Sequence, residues 1–176
     1  MAQQPVTGEP GICTIGPSTH PRDVSIDLLK SNVVAHVLDV PTVPCSRHNR
    51  QFHAGAPPPS MWIANIQCTH LPGLAGLRYP RRDSLNGGSH HVSFRGYADY
   101  MQRQEFAANV SKGTRLAAEK RCALMCMESM PRRCQRLRIA DALTVRGMHV
   151  GDNIGRKGRK LHALTPLAQS DGLALT

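Results

Sequence analysis

The stretch RCALMCMESMPRRCQRLRIADALTVRG, residues 121–147, decides the fold. Residues 121–127 form an apolar run of the kind found in buried strands. Residues 131–147 follow with the pattern of a helix, with Pro131 at its start and Gly147 as its C-terminal stop. A buried strand followed closely by a helix predicts one unit of a parallel sheet with helices packed on it.

The same alternation extends along the chain. Further strands are predicted at 11–16, 33–40, 67–71 and 148–154. Helices are predicted after Pro21 with Thr19 or His20 as the cap, at 60–67, and as one broken or two consecutive helices over 94–120. We therefore predict a three-layer α/β fold, with a mostly parallel sheet of about five strands and helices on both faces. The single domain spans 11–168, between flexible tails at 1–10 and 169–176.

The composition limits the class of protein. A chain of 176 residues suits one domain with one core. It has no apolar run of about 18 residues and no basic, then apolar, N-terminal signal. We expect a cytoplasmic protein outside the membrane. Its six cysteines include no C-x-x-C pair, which argues against a zinc ribbon, and a disulfide framework is not expected in such a domain. No cofactor or metal is predicted, since no dinucleotide fingerprint or helical His pair occurs.

The positive charge is concentrated in one part of the chain. The net charge is +10, and residues 112–160 carry thirteen Lys or Arg against four Asp or Glu, a balance of +9. Arginine favours bidentate phosphate contacts, so either an anionic ligand, nucleic acid included, or a plain solvated surface fits this pattern. The candidate polyanion-binding residues are Arg132, Arg133, Arg156, Lys157, Arg159 and Lys160.

Polar side chains gather after the predicted strands. Ligands of parallel sheets bind outside the carboxyl ends of the strands, and here those ends are rich in polar residues while the amino ends are plain. This asymmetry predicts a site. The candidate residues that follow strands are Ser18, Thr19, His20, Asp39, Arg47, His48, Asn49, His70, Arg78, Cys126, Glu128 and Cys134.

Cys134 is the candidate nucleophile. It is predicted to lie in the first turns of a helix beside Arg132, Arg133 and Arg136. A helix amino end and nearby cations both favour a thiolate, although a buried cysteine on the sheet-facing stripe fits the same pattern. Cys126 alternates with Cys122 and Leu124 on one strand face, which favours core packing.

Six ordered motifs resemble a known bacterial family, the domain of unknown function 488. They are TIGPSTHP (14–21), LDVPTVPCSRHNRQF (38–52), HLPGLAGLR (70–78), FRGYADYM (94–101), ALMCMESMPRRCQRLRIADAL (123–143) and HALTP (162–166). The resemblance covers roughly residues 12–168 and implies a small α/β domain without an established activity. It marks these residues: Gly16, Ser18, His20, Pro21, Asp39, Ser46, Arg47, Asn49, Leu71, Gly76, Arg95, Tyr97, Cys126, Glu128, Cys134 and Arg136.

The sequence departs from the family pattern at three places. Pro41 stands where the family usually has Arg, Cys45 where a basic or small residue often precedes Ser-Arg, and Gln135 where it has His. A histidine shuttles protons near pH 7 and a glutamine does not, so these changes point to weakened or altered chemistry.

These observations favour an enzyme with an Arg-rich anion-binding cleft that acts on a phosphate-bearing substrate, such as a nucleotide or nucleic acid. Cys134 is the predicted nucleophile or thiol centre, and Glu128 or His20 carries the proton. Two alternatives stay open, a non-catalytic nucleic-acid-binding module and a sulfur-transfer or redox domain that uses Cys126 and Cys134. The predicted substrate-binding residues are Ser18, Asp39, Arg47, Asn49, Arg95, Tyr97 and Arg136.

Overall fold

The computed structural model describes residues 11–16, 21–40, 59–76, 78–84, 86, 92–126, 134–155, 158–166, 168, 170–171 and 174–175. Strands and α-helices alternate through most of these residues. The helices are α1 (Arg22–Ser31), α2 (Pro59–Ile63), α3 (Val92–Met101), α4 (Gln104–Glu119) and α5 (Arg136–Val145). The strands are β1 (Ile12–Ile15), β2 (His36–Asp39), β3 (Gln67–His70), β4 (Cys122–Met125), β5 (Val150–Gly155), β6 (Gly158–Leu161), β7 (Ser170–Asp171) and β8 (Ala174–Leu175).

Six of the strands form one sheet, in the order β3-β2-β4-β1-β5-β6. The pairs among β1 to β5 are parallel, and β6 alone runs antiparallel, against β5. The predicted mostly parallel sheet is therefore confirmed, with six strands where about five were expected. The strands β7 and β8 pair with each other in a separate antiparallel ladder, within the segment predicted to be a flexible tail.

Helices cover both faces of the sheet, as predicted. Alternate residues of each strand point to opposite faces, so each strand supplies both layers. Leu28 and Leu29 of α1 and Met61 of α2 pack on one face, the α1–α2 face. The helices α3, α4 and α5 pack on the other, the α3–α5 face, whose apolar cluster includes Leu38 and Leu124 of the strands.

The helices follow the apolar spacing of the sequence. Phe106, Val110, Gly113 and Ala117 are the buried residues of α4 and recur at three- and four-residue intervals along one stripe. Because the chain breaks its helix between Met101 and Gln104, the segment 94–120 forms two helices and not one.

Helix α5 ends where the sequence predicts but begins later than predicted. Gly147 has φ of 79°, and the amides of Gly147 and Met148 donate to the carbonyls of Thr144 and Leu143, which is a Schellman ending. The predicted stop is therefore confirmed. The helix begins at Arg136, five residues after Pro131 in the sequence, and Pro131 itself lies outside the described residues.

The segment after β5 is more ordered than its basic composition predicts. Residues 158–161 form β6, and the amide of His162 donates to the carbonyl of Val150 at 2.8 Å. The chain is then held against α5 by the side chain of Asp141. In the part of the chain that the structure describes, no helix has the length and apolar character needed to cross a membrane.

Candidate functional site

The carboxyl ends of the neighbouring parallel strands β3, β2, β4 and β1 are level with one another. Ile15, Asp39 and His70 lie in one row with Met125 of β4. The row continues past the sheet, since the amide of Cys126 donates to the carbonyl of Ile15 at 3.3 Å. This row forms the carboxyl edge at which the sequence predicts a site.

Cys126 and Cys134 are joined at this edge as a disulfide. Cys126 follows β4 on the same side as Cys122 and Leu124, whose side chains belong to the α3–α5 face. Cys134 lies two residues before α5, which packs on that face. The sequence favoured core packing for Cys126 and no disulfide, and the structure instead pairs it with the candidate nucleophile, because strand alternation and the start of α5 bring the two sulfurs together.

The surroundings of Cys134 are those of a helix amino end. The backbone amide of Arg136, the first residue of α5, donates to the Cys134 Sγ at 3.4 Å. Cys134 is 2% exposed and Arg136 is 1% exposed, so both side chains are enclosed by the protein. An amide donor and a helix amino end favour negative charge on a sulfur, which is the electrostatic setting that the sequence predicts for Cys134.

Gln135 links the start of α5 to the chain that follows β3. Its Nε2 donates to the carbonyl of Gly76 at 3.0 Å. A Cβ at position 76 would overlap the Gln135 side chain, so the glycine makes room for this contact. The residue that stands in place of the family's histidine therefore has a structural role, holding the turn that carries Cys134.

Asp39 lies at the same edge but faces the opposite layer. Its neighbours Leu38 and Val40 pack on the α3–α5 face, so its carboxyl group points to the α1–α2 face, together with His70. It is 6% exposed, and its Oδ1 has no hydrogen-bond partner among the described residues. Burial raises the pKa of Asp39 to about 6, against the opposing effect of the charge of His70.

Tyr97, a predicted substrate-binding residue, lies in the core. It is 0% exposed, its hydroxyl donates to the carbonyl of Leu74 at 2.9 Å, and its ring packs edge-on against Phe106 at 6.0 Å between centroids. This is the placement of a packing residue, since a buried tyrosine satisfies its hydroxyl within the protein.

Arg78 lies beside this aromatic cluster, and Arg95 lies in α3. The Arg78 guanidinium stacks 3.8 Å above the Tyr100 ring, and the backbone of Arg78 contacts α3 at Gly96. The Nε atoms of Arg78 and Arg95 are both buried and have no hydrogen-bond partner among the described residues. Arg95 was predicted as an anion-binding residue, and Arg78 was predicted among the polar residues that follow the strands.

The remaining predicted residues fall largely beyond what the structure describes. Lys160 is exposed in β6, opposite Asp152 of β5. Arg159 lies in the same strand, and its side chain is outside the described part. The other predicted residues outside the described ranges are Ser18, Thr19, His20, Arg47, His48, Asn49, Glu128, Arg132, Arg133, Arg156 and Lys157.

One buried polar cluster was not predicted. His162 is held between two carboxylates, with Nε2 at 2.8 Å from Asp141 and Nδ1 at 2.8 Å from Asp152. Burial alone would lower the pKa of His162, but the hydrogen bonds to Asp141 and Asp152 outweigh it and raise the pKa to about 9. One residue in the sequence could have indicated this cluster. Asp141 is an acidic residue within the apolar stripe of α5, and a carboxylate buried there needs a partner.

This cluster lies away from the carboxyl edge. His162 bonds to Val150, the first residue of β5, at the opposite end of that parallel strand. The cluster therefore fastens the end of the chain and takes no part in the candidate site. Within the described residues, no group of three His, Cys, Asp or Glu side chains is placed to share a metal ion.

Comparison with known proteins agrees with the motifs. The family model described as "Domain of unknown function DUF488" matches residues 22–143, from the start of α1 to the last turn of α5. No curated protein and no solved structure matches the chain. Because the match covers more than half of the chain, the chain belongs to the DUF488 family.

Proposed function

We propose that the protein is a thiol-dependent enzyme in which reduced Cys134 attacks a phosphate-bearing substrate at the carboxyl edge of the sheet. The observation that carries this proposal is the hydrogen bond from the Arg136 amide to the Cys134 Sγ at the start of α5. Amide donors at a helix amino end stabilise a thiolate, the nucleophilic form of cysteine, and attract anions.

The charges around the edge support an anionic substrate. Arg136 enters the same turn as Cys134, and Arg78 and Arg95 bring two further guanidinium groups with buried Nε atoms to α3 and the segment before it. Arg78 and Arg95 are partly buried, and a partly buried cation binds a phosphate more strongly than a fully exposed one, since water screens it less. Glu128 or His20 is the proposed proton carrier, as the sequence predicts.

Asp39 adds a group that titrates near neutrality. A carboxyl group with a pKa of about 6 exchanges protons at physiological pH, which suits acid–base chemistry at the substrate. Its side chain approaches the edge from the α1–α2 face, while Cys134 approaches from the α3–α5 face. A substrate bound across the edge would contact both.

The test uses fully reduced protein and two phosphate esters, p-nitrophenyl phosphate and a nucleoside 5′-monophosphate. We expect turnover of at least one ester. Cys134→Ser should lower the turnover rate by a factor of about 100 or more, because it removes the nucleophile. Cys122→Ala is the matched control, because Cys122 lies on the same strand face as Cys126 but at the amino end of β4. Equal activity in Cys134→Ser and the control would contradict the proposal.

A second candidate, polyanion binding, is favoured by the β5–β6 hairpin. Gly155 pairs with Gly158 at the carboxyl end of β5, so the strands that flank the basic dipeptide 156–157 meet at the edge of the site. Four to six phosphate contacts would give a slope of about −3 to −5 in log affinity for duplex DNA against log salt. Neutralising Arg156, Lys157, Arg159 and Lys160 together should flatten this slope, and Cys134→Ser should leave it unchanged. Binding that is independent of salt would exclude this function.

A further inference from the structure

We propose that Cys126 and Cys134 form a reversible dithiol–disulfide pair, and that small thiols and disulfides exchange with it through the Cys126 sulfur. The pair is a redox site in its own right. Its regulatory consequence, inactivation of the Cys134 nucleophile by oxidation to the disulfide, rests on the function proposed above.

The first supporting observation is the pairing itself. The two sulfurs are bonded across the carboxyl edge, between the residue that follows the central strand β4 and the turn before α5. The bridge closes a short stretch of chain, with a sequence separation of 8, and does not tie distant parts of the fold together. Closing such a short loop stabilises a fold less than closing a long one.

The second observation is that the two sulfurs have different surroundings. Cys126 is partly exposed, whereas Cys134 is 2% exposed. An incoming thiolate must reach one of the two bonded sulfurs, and Cys126 is the more exposed residue of the oxidised pair. The Cys134 Sγ accepts the Arg136 amide, so Cys134 is the better leaving thiolate when Cys126 is attacked.

The third observation concerns the other described cysteines. Cys13 and Cys122 are 0% exposed in the sheet. Burial raises the pKa of Cys122 to about 12, and burial, with the nearby charge of Asp39, raises the pKa of Cys68 to about 11. The Cys68 and Cys122 thiols therefore stay protonated at neutral pH and Cys13 is enclosed, so among the described cysteines exchange is confined to the edge pair.

The chemistry balances without a metal or cofactor. In oxidation, the Cys126 thiolate attacks a low-molecular-weight disulfide RSSR, forms a mixed disulfide Cys126–S–S–R and releases one RS⁻. The Cys134 thiolate then attacks the Cys126 sulfur, the Cys126–Cys134 bond forms, and the second RS⁻ leaves. The two cysteine protons pass to the released thiolates, so the dithiol is oxidised and one RSSR becomes two RSH. Reduction is the same sequence in reverse.

The experiment treats reduced protein with glutathione disulfide and follows each cysteine by mass spectrometry of peptides. In Cys134→Ser, we expect a stable mixed disulfide on Cys126. In the matched variant Cys126→Ser, the mixed disulfide on Cys134 should form at least about tenfold more slowly, because a buried sulfur is poorly accessible. In the unsubstituted protein, the expected product is the internal disulfide with no retained glutathione.

Three outcomes would overturn the proposal. They are modification of Cys134 as fast as of Cys126, retained glutathione in the unsubstituted protein, or exchange mainly at Cys68. Circular dichroism and urea unfolding of both variants establish that they are folded, and Cys126→Ala replaces Cys126→Ser if the serine variant unfolds.

A second measurement separates this proposal from the proposed function. Oxidised protein should lose ester turnover, and dithiothreitol should restore it. If no ester is turned over but glutathione exchange follows the stated order, the redox pair stands and the phosphate-ester function fails. If turnover is unaffected by oxidation while Cys134→Ser is inactive, the enzyme function stands and the redox control is wrong.

Discussion

The burial of Asp39 at the carboxyl edge lowers the stability of the folded protein at neutral pH. Asp39 is buried at 6% exposure, and burial raises the pKa of its carboxyl group to about 6, above the ordinary value of 3.8. The folded protein thus binds this proton more tightly than the unfolded chain does. The resulting loss of stability is absent below about pH 4 and complete above about pH 6.

We therefore expect Asp39→Asn to raise the free energy of unfolding at pH 7.5 by on the order of 2 kcal/mol, and to change it little at pH 4. Urea unfolding at the two pH values measures this difference. Asp27→Asn, on the exposed side of α1, is the control and should change stability by less than about 0.5 kcal/mol at both. A destabilised Asp39→Asn at pH 7.5 would mean that the carboxylate has strong partners in the folded protein.

Helix α3 packs so closely on the chain before it that only glycine fits at position 96. A Cβ on Gly96 would clash with the backbone carbonyl of Arg78, and backbone cannot swing aside as a side chain can. Gly113 in α4 is different, since a Cβ there would meet Leu38 Cδ1 at 3.6 Å and Leu71 Cδ1 at 3.9 Å, both ordinary contacts.

The two glycines should consequently respond to alanine in opposite directions. Gly113→Ala should stabilise the protein by up to about 1 kcal/mol, the usual gain in a helix interior. Gly96→Ala should destabilise it by about 1–3 kcal/mol through overpacking. Thermal unfolding of both variants tests this, and a stabilised Gly96→Ala would show that α3 can move away from Arg78.

The elements that were predicted correctly are those specified by local sequence. The apolar runs at 12–15 and 122–125 form strands, and Gly147 ends α5, because neighbouring residues decide these features. The disulfide and the His162 cluster depend on residues that meet only after folding. His162 is 21 residues from Asp141 in sequence, and no local pattern predicts their contact.

The candidate site was predicted in outline only. The carboxyl edge follows from the alternation of strands and helices, which placed Asp39, Cys126 and Cys134 there correctly. The sequence did not predict which face each side chain would occupy, because a shift of one residue in a strand reverses the face. Nor could it show that Tyr97 is enclosed by Phe106 and Leu74.

For the molecule as a whole, the His162 cluster makes global stability depend on pH. The folded pKa of His162, about 9, exceeds the ordinary value of 6.5, so the folded state binds this proton more tightly. The stabilisation is complete below about pH 6.5 and is lost as the pH rises through about 9.

The free energy of unfolding should fall by on the order of 2 kcal/mol between pH 6.5 and 9.5 because of this group. In His162→Gln that fall should be absent, and the variant should be destabilised most at the lower pH. His149→Gln, a change at an exposed histidine, should retain the profile of the unsubstituted protein. Parallel profiles for His162→Gln and the unsubstituted protein would contradict this role.

The order of the strands restricts when the sheet can assemble. β4 lies between β1 and β2, so β1 has no partner in the described sheet until residues 122–125 emerge from the ribosome. Among the described strands, β2 and β3 alone can pair before then. The nascent chain must therefore carry the apolar strand Ile12–Ile15 unpaired while residues 16–121 are synthesised, exposed to aggregation and to chaperones, and the disulfide partners Cys126 and Cys134 come together only after β1 has found its partner.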